Sequence, residues 1–486
     1  MGEARDIFVG LDVGTTSLSA VAIDGEGRPL ASTSAPNDSA VEGLPPGRAE
    51  QDPARIRERA LQALSGLADR LGKRARRVRD IGLCGQQHGV LLVDERLRPL
   101  TNLITWQDRR GEEPLPGVEV TALEAFIDAA PEPAIAESGS RPGMGYAAVT
   151  LFWLQRRGHV PDDFHRALIV HDWLAAWLAG SQPCTDPTDA ASTGLFNVKQ
   201  GQWDGRLCAA AGVQVERLPP VRPAGTPLGS LRDRLAAATG LPAGATVHAA
   251  LGDNQAGVLA SLRRPKEEVL VNVGTGGQVS AVTDTYFATE SLEARPFPGG
   301  RLLSVGASLC GGAAFAGLGE HYRRAIRAVT GRRVPVQEVL DALVEQAEEV
   351  SAGADGLRLE PYFLGSRAEP ERTGRLSGMT LQNNTPGHWA RAWIGGIVEE
   401  LAGYYRRMTE AGLRPRERAV GSGNGMRRNP VMRAAAAEAL GMPVCVPAWE
   451  EVAACGAALA AMVGSGACES FRRAARLVRH RRPDEG

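Results

Sequence analysis

One short stretch, Asp12-Val13-Gly14-Thr15-Thr16-Ser17, combines a carboxylate, a glycine and three hydroxyls directly after the apolar run Ile7 to Leu11. A tight turn of this composition offers backbone N–H groups and hydroxyls to a phosphate without a helix N-terminus, and it places Asp12 to meet a hydrated metal ion. The device recurs 260 residues later as Asn272-Val273-Gly274-Thr275-Gly276-Gly277, with an amide where the first copy has its carboxylate. Similarity at half-chain spacing predicts two related domains facing each other, each contributing one loop. One metal-facing carboxylate is the economical arrangement, because two would repel each other and a polyphosphate. A pair of ordinary Gly-Thr hairpin turns would share the composition.

Three further stretches carry groups able to do chemistry. In Gly252-Asp253-Asn254-Gln255-Ala256-Gly257 a carboxylate stands at a strand-to-helix junction. There it is either a helix N-cap or a general base facing the same cleft as Asp12. Leu103-Ile104-Thr105-Trp106-Gln107-Asp108-Arg109-Arg110 ends an apolar strand in an indole, an amide, a carboxylate and two guanidiniums. With Gln87 and His88 of the loop Gly85-Gln86-Gln87-His88-Gly89, such a set suits a polyol, the ring packing on C–H faces while polar groups bracket the hydroxyls. The alternative is a surface charge cluster with Trp106 in the core. Lastly, Gly421-Ser422-Gly423-Asn424-Gly425 leads into Asn429-Pro430 and lets backbone approach a purine or ribose.

The elements that must hold these groups can be read from pattern. Ile7 to Leu11 and Leu18 to Ile23 are strands, so the first loop is the turn of a hairpin. Asp52-Pro53 caps a helix whose apolar residues Ile56, Ala60, Leu64, Leu67 and Leu71 keep helical spacing. Ile81 to Cys84 is a buried strand delivering the Gln86 to Gly89 loop, and loops at strand ends of an α/β fold are where ligands bind. Helices are expected over 146–157 and over 163–178, the latter closed by Gly180. Thr185 to Gly194 reads as a polar, turn-rich loop, closing over a site or merely connecting. A strand over 247–251, a helix from Asp253 through Leu262, helices over 431–440 and 455–463 and a strand over 444–446 complete the chain, with a frayed Arg-rich tail.

Composition narrows the classes. At 486 residues the chain exceeds one compact core, so two or three domains are expected. A net charge of −1 gives no electrostatic footprint for nucleic acid or an anionic membrane, and no stretch has spanning length. The seven cysteines lack a Cys-x-x-Cys pair, which fits reduced thiols in a cytoplasmic protein rather than zinc or iron-sulfur. Lysine occurs only at 73, 199 and 266, never after a glycine-rich loop, so neither the P-loop lysine nor the protein-kinase strand lysine is present.

Taken together and in order, Asp12-x-Gly-Thr-Thr-Ser17, Trp106-Gln-Asp-Arg-Arg110, Gly252-Asp253-Asn-Gln-Ala-Gly257, Asn272-Val-Gly-Thr-Gly-Gly277 and Gly421-Ser-Gly-Asn-Gly425 resemble the FGGY carbohydrate kinases. Leu151-Phe-Trp-Leu154, Gly374-x-Leu376-x-Gly378-Met379 and His388-Trp389 have counterparts there too, while Thr150 departs from the lysine many members carry. The resemblance implies an α/β protein of two actin-like, ribonuclease H-like domains, with mixed sheets flanked by helices and a cleft between them. Residues 1–248 would form the N-terminal sugar-binding domain and 249–486 the nucleotide-binding one.

It further implies ATP and Mg²⁺ as cofactors, with Asp253 taking the proton of the attacking sugar hydroxyl and Asp12 holding Mg²⁺ through water. Thr15, Thr16, Ser17 and the Gly274, Thr275, Gly276, Gly277 loop would bind phosphates. Gly421, Gly423, Asn424 and Asn429 would approach adenosine. Gln87, His88, Trp106, Gln107, Asp108, Arg110, Asp253 and Asn254 would bind the substrate. That partner would be a small sugar, with no nucleic acid or membrane, and a homodimer is compatible with the family.

Gly85-Gln-x-His88-Gly resembles xylulose and sedoheptulose kinases rather than glycerol kinases, and Thr105-Trp-Gln-Asp108 resembles sedoheptulokinases, so a ketose is expected, sedoheptulose ahead of xylulose. Trp-Gln-Asp-Arg-Arg is shared with glycerol kinases, which keeps glycerol open. A rival from another class is an actin- or chaperone-like ATPase switch without a sugar substrate.

Overall fold

The computed structural model describes residues 6–117, 119–366, 369 and 371–481. They form two compact units. The first holds the described residues of Met1–Arg263 with Ala294–Leu302 and Trp449–Val478; the second holds Arg264–Glu293, Leu303–Ala448 and the described residues of Arg479–Gly486.

The first unit is built on a seven-stranded sheet in the order Pro227–Ser230, Thr246–His248, Val78–Gly85, Ile7–Val13, Ser17–Asp24 and Pro29–Pro36, with Leu251–Gly252 also paired to Val78–Gly85. Ile7–Val13 lies antiparallel to Ser17–Asp24 and parallel to Val78–Gly85, so Asp12 stands opposite Ser19 on one side and Cys84 on the other. Ile7, Val9, Leu11 and Val13 on one face and Phe8 on the other are all buried, as expected of a strand covered on both faces. Val9 and Leu11 join a core with Ile56, Ala60, Leu64 and Leu67 of the helix Pro53–Leu71. That helix starts as its sequence predicts, Ala54 N–H donating to the Asp52 carboxylate at 2.8 Å with Pro53 in the first turn.

The alternate residue, Gly10, looks the other way, towards the helix Val452–Gly464. A Cβ on Gly10 would stand 1.7 Å from Ala454 O, and one on Gly82 would stand 2.0 Å from Ala457 O. The absence of side chains is what lets this helix from the far end of the chain lie against the first sheet. It also explains why the units do not follow the division expected at residue 248. Leu251–Gly252 still pairs with Val78–Gly85, and the helix Asp253–Leu259 rests on Val452–Gly464. Asp253 therefore belongs to the same unit as Asp12.

Two local expectations are corrected. Residues 163–178 are not one helix: Arg166–Leu168 is a strand antiparallel to Leu91–Val93, and the helix begins at Val170, ending at Ala179 with Gly180 left-handed at φ 69°. The segment 185–194 is not an open loop but carries the buried helix Pro187–Ser192, capped by Asp186, whose Oδ1 accepts from Asp189 N–H at 3.0 Å. Short polar residues favour both loops and caps, and here burial of the neighbouring alanines decides.

The second unit repeats the plan. Glu268–Val273 is antiparallel to Gly277–Thr283 and parallel to Arg418–Ser422, which is followed by Val444–Pro447. His480–Arg481 adds an antiparallel strand to Val444–Pro447, so the part of the tail that is described is paired rather than frayed; residues 482–486 lie outside the described residues. The helix Pro386–Glu410 buries Ile394, Ile397, Val398 and Leu401 against this sheet's core. Among the described residues no helix is long and apolar enough to cross a membrane.

Candidate active site

Asp12 is the penultimate residue of its strand and Asp253 the first of its helix, and Asp12 feels the charge of Asp253. The helix N-cap position is held by Gly252 without a side-chain bond; Asp253 accepts instead from the N–H of the adjacent Asn254 at 2.6 Å. The capping reading of this carboxylate therefore fails on position. Burial raises the Asp253 carboxyl above its ordinary value, opposed by the Asn254 N–H and by the charges of His171 and Arg295. Asp12 is pushed up to about 8, first by burial, then by Asp253, with Glu451 adding to it. The Cys84 thiol, 3.6 Å from Asp12 Oδ1, works in the opposite direction. A carboxylate held among acidic neighbours is a donor that a hydrated divalent cation would neutralise, so these residues fit the Mg²⁺ the sequence implies.

Gln87 packs against Gly252, the residue before Asp253, and His88 follows it in the same loop. Gln87 is buried with its amide donating to Thr188 O at 3.0 Å and to Asp189 Oδ1 at 3.3 Å, and it leaves no room for a Cβ on Gly252. Thr188 in turn accepts from Gly252 N–H at 2.8 Å, so the buried helix Pro187–Ser192 fixes both the amide and the backbone beside Asp253. His88 is held at a positive φ of 72° by its N–H to Ser192 Oγ and by Nδ1 against Ser192 O at 2.7 Å. Its ring stacks on Tyr146 at 4.3 Å between centroids. A non-glycine left-handed residue locked by two bonds is strain maintained at a site.

Behind this wall lies a buried pair that the sequence did not announce, His171 Nε2 against Asp189 Oδ2 at 2.8 Å. Burial lowers the His171 imidazole and raises the Asp189 carboxyl, so this pair is drawn towards neutrality. Tyr146, His171, Asp189 and Arg295 were not among the expected site residues. Asp189 falls in the 185–194 segment that the pattern offered as a loop closing over a site, whereas nothing in the pattern marked Tyr146, His171 or Arg295 for one.

Trp106 is 44% exposed, and its indole N–H donates to Thr15 Oγ1 at 3.0 Å. Thr15 Oγ1 faces Gln86 Oε1 at 3.3 Å, and Gln51 Nε2 donates to Thr15 O at 3.0 Å. The expected phosphate turn and the expected polyol platform are thereby one bonded assembly, in which the Thr15 hydroxyl has protein partners. Thr16 is exposed, and the turn closes through Gly14 N–H to Ser17 O at 3.0 Å. Gln107 is exposed beside Trp106, whereas Asp108 and Arg110 are buried. Arg110 grips Asp108 with Nε at 2.7 Å and reaches Glu50 at 2.6 Å, and Asp108 also accepts from Ala49 N–H at 2.9 Å. Burial alone would raise the Asp108 carboxyl, but the Arg110 contacts more than offset it and hold it low. These two residues form a brace beneath the platform.

In the second unit the turn after Val273 is backed by glycines. Gly312 N–H donates to Gly274 O at 2.8 Å and Ala313 N–H to Thr275 O at 2.9 Å, while a Cβ on Gly311 would stand 2.4 Å from Gly276. Gly423 has φ 76°, and its Cβ would lie 2.5 Å from Val273 O. The expected glycine-rich loop is a strand-to-helix junction, with Gly421 in the strand Arg418–Ser422 and Gly423 and Asn424 opening the helix Gly423–Arg428, and it is pressed against Val273 at the start of the Gly274 to Gly277 turn. Asn429 is a helix cap, accepting from Met432 N–H at 3.0 Å.

Two family models match the chain. The N-terminal domain of the FGGY family of carbohydrate kinases matches residues 7–260 and its C-terminal domain matches residues 269–465. The chain belongs to the FGGY family of carbohydrate kinases. As a member it is a sugar phosphotransferase. The kinase is 28% identical over 481 residues to the sedoheptulokinase of Mus musculus, covering 91% of this chain and 94% of that one. It is 30% identical over 480 residues to the glycerol kinase of Thermus brockianus, covering 95% and 90%. Among solved structures, the xylulose kinase of Rhodospirillum rubrum superposes with a TM-score of 0.85 at 27% identity, over 98% of this chain and 93% of that one. The mixed sheets flanked by helices are accordingly the fold of these kinases.

Proposed function

We propose that this kinase transfers the γ-phosphoryl group of ATP to a terminal hydroxyl of a ketose, with sedoheptulose the first candidate and sedoheptulose 7-phosphate the product. The observation that carries the reading is Asp253: a carboxylate at a helix start whose N-cap position belongs to Gly252, with the Gln87 amide packed against that glycine and the charges of His171 and Arg295 within reach. Asp253 accepts the hydroxyl proton as that oxygen forms its bond to phosphorus and the bond to the ADP oxygen breaks. Phosphoryl transfer asks for positioning and charge neutralisation more than covalent chemistry. Mg²⁺, held through water by Asp12, would supply part of that neutralisation. The glycine-backed loops of the second unit suit the nucleotide, since backbone N–H groups without side chains admit phosphate and ribose closely.

The preference for a ketose rests on Gln87 and His88. Both are fixed by the helix Pro187–Ser192, Gln87 through Thr188 and Asp189 and His88 through Ser192, and an amide and an imidazole positioned in this way suit the hydroxyls of a polyol. Similarity to sedoheptulose, xylulose and glycerol kinases is of comparable degree and does not choose among them. An ADP-release assay with sedoheptulose, xylulose, ribulose and glycerol decides. Turnover highest on sedoheptulose supports the reading, glycerol as best substrate replaces it, and ATP hydrolysis indifferent to every polyol returns the chain to the switch class.

A further inference from the structure

Arg295 reaches the first unit by an unusual route. Residues on either side of Ala294–Leu302 belong to the second unit, yet this segment belongs to the first. It is fastened there by Ala294 N–H to Gly139 O at 2.8 Å, at a point where Gly139, with φ 81°, could carry no side chain because its Cβ would stand 2.0 Å from Ala294 O. The next residue brings a guanidinium to Asn254, with Nη1 3.4 Å from Oδ1, and within the electrostatic reach of Asp253 and Tyr146. It is only partly exposed.

The chemistry of these neighbours is complementary. An ionised Asp253 only accepts, so the substrate hydroxyl bound to it must donate. The adjoining oxygens of a polyol then present lone pairs and need donors, and a guanidinium carries five donors and no acceptor. Tyr146, stacked on His88, also lies within the electrostatic reach of the guanidinium.

We propose that Arg295 is a substrate-binding residue that donates to the sugar oxygen next to the hydroxyl being phosphorylated, and thereby selects vicinally oxygenated acceptors. This rests on the kinase reading above and adds to it the identity of a specificity residue.

The test crosses a substrate change with a side-chain change, the design that isolates one interaction. Binding of the best panel ketose and of its analogue lacking the vicinal oxygen is measured by calorimetry without nucleotide, and turnover is measured in parallel. In the wild-type kinase the analogue should bind at least tenfold more weakly. In Arg295→Met that penalty should shrink to under twofold, KM for the ketose should rise more than kcat falls, and Arg295→Lys should restore part of the affinity. Arg295→Gln, which keeps a donor for Asn254, replaces Arg295→Met if the latter fails to fold. An analogue penalty of the same size in wild type and variant would overturn the inference while leaving the kinase reading intact. Sugar binding without phosphorylation of any panel sugar would end the kinase reading, and the binding cycle would still judge Arg295.

Discussion

The Cys84 thiol lies 3.6 Å from Asp12 Oδ1 across a parallel strand pair, and in the other unit Ser422 Oγ lies 3.1 Å from Asn272 Oδ1 in the same register. The internal repeat therefore extends past the hairpin turn to the neighbouring strand, each copy supplying a short side-chain donor to the polar residue one before the end of the first strand. Only the first copy carries a charge. Replacing the donor with an apolar group of similar size, Cys84→Val, should weaken Mg²⁺ activation roughly two- to fivefold, the worth of about 0.5–1 kcal/mol for one modest hydrogen bond. An unchanged Mg²⁺ titration would show the thiol to be mere packing.

Asp12 itself predicts a pH dependence with a definite sign. Its folded carboxyl is raised from 3.8 to about 8, so the folded chain without metal holds a proton there that the unfolded chain has released. This contribution to stability is complete below the unfolded value and is lost as pH rises towards about 8. Mg²⁺ competes with that proton. Its stabilising effect on the melting temperature should be larger at pH 8 than at pH 6, and Asp12→Asn should remove the difference.

Asp253 must be ionised to accept a proton, and burial lifts its carboxyl above the ordinary value. Activity should therefore fall with decreasing pH at a point above the usual carboxylate range. Asp253→Asn should lower kcat by about 10²- to 10⁴-fold while nucleotide binding persists. A variant with near wild-type turnover would remove Asp253 from the chemistry.

The brace beneath Trp106 makes a different prediction for Asp108 and Arg110. Arg110 is buried, with both carboxylates of Asp108 and Glu50 in contact. Arg110→Met leaves a buried carboxylate uncompensated and should cost about 3–5 kcal/mol of stability, read as a lower midpoint in urea. If stability held and only the sugar KM rose, the pair would be contacting substrate rather than supporting the platform.

Gly82 tests the seat of the helix Val452–Gly464. With the position of a Cβ only 2.0 Å from Ala457 O, Gly82→Ala must push backbone apart and should destabilise the first unit by about 1–3 kcal/mol. An equally stable variant would mean the helix can lift without consequence.

Much of the site could be read from local pattern. The hairpin around Asp12, its second copy at Asn272 and the helix start at Asp52-Pro53 are all short-range features, set by apolar alternation and turn chemistry within a few residues of each other. What misled was equally local. Asp186, Asp189 and Ser192 have the composition of an exposed turn, yet they belong to a buried capped helix in which Asp186 accepts from Asp189 N–H while Gln87 and His88 bond Asp189 and Ser192. The uninterrupted helix expected over 163–178 broke because Arg166–Leu168 found a strand partner in Leu91–Val93.

The sequence by itself determined the two hairpins that follow Asp12 and Asn272 and the family, since each is written in contiguous residues whose spacing needs no fold to be recognised. Tertiary structure alone decided that Asp253 sits in the same unit as Asp12, and that Arg295 and the His171–Asp189 pair stand behind or beside it. Those relations depend on side-chain-free approach at Gly10, Gly82 and Gly139 to backbone far away in the chain. Such contacts join segments hundreds of residues apart and leave no periodic trace in either one.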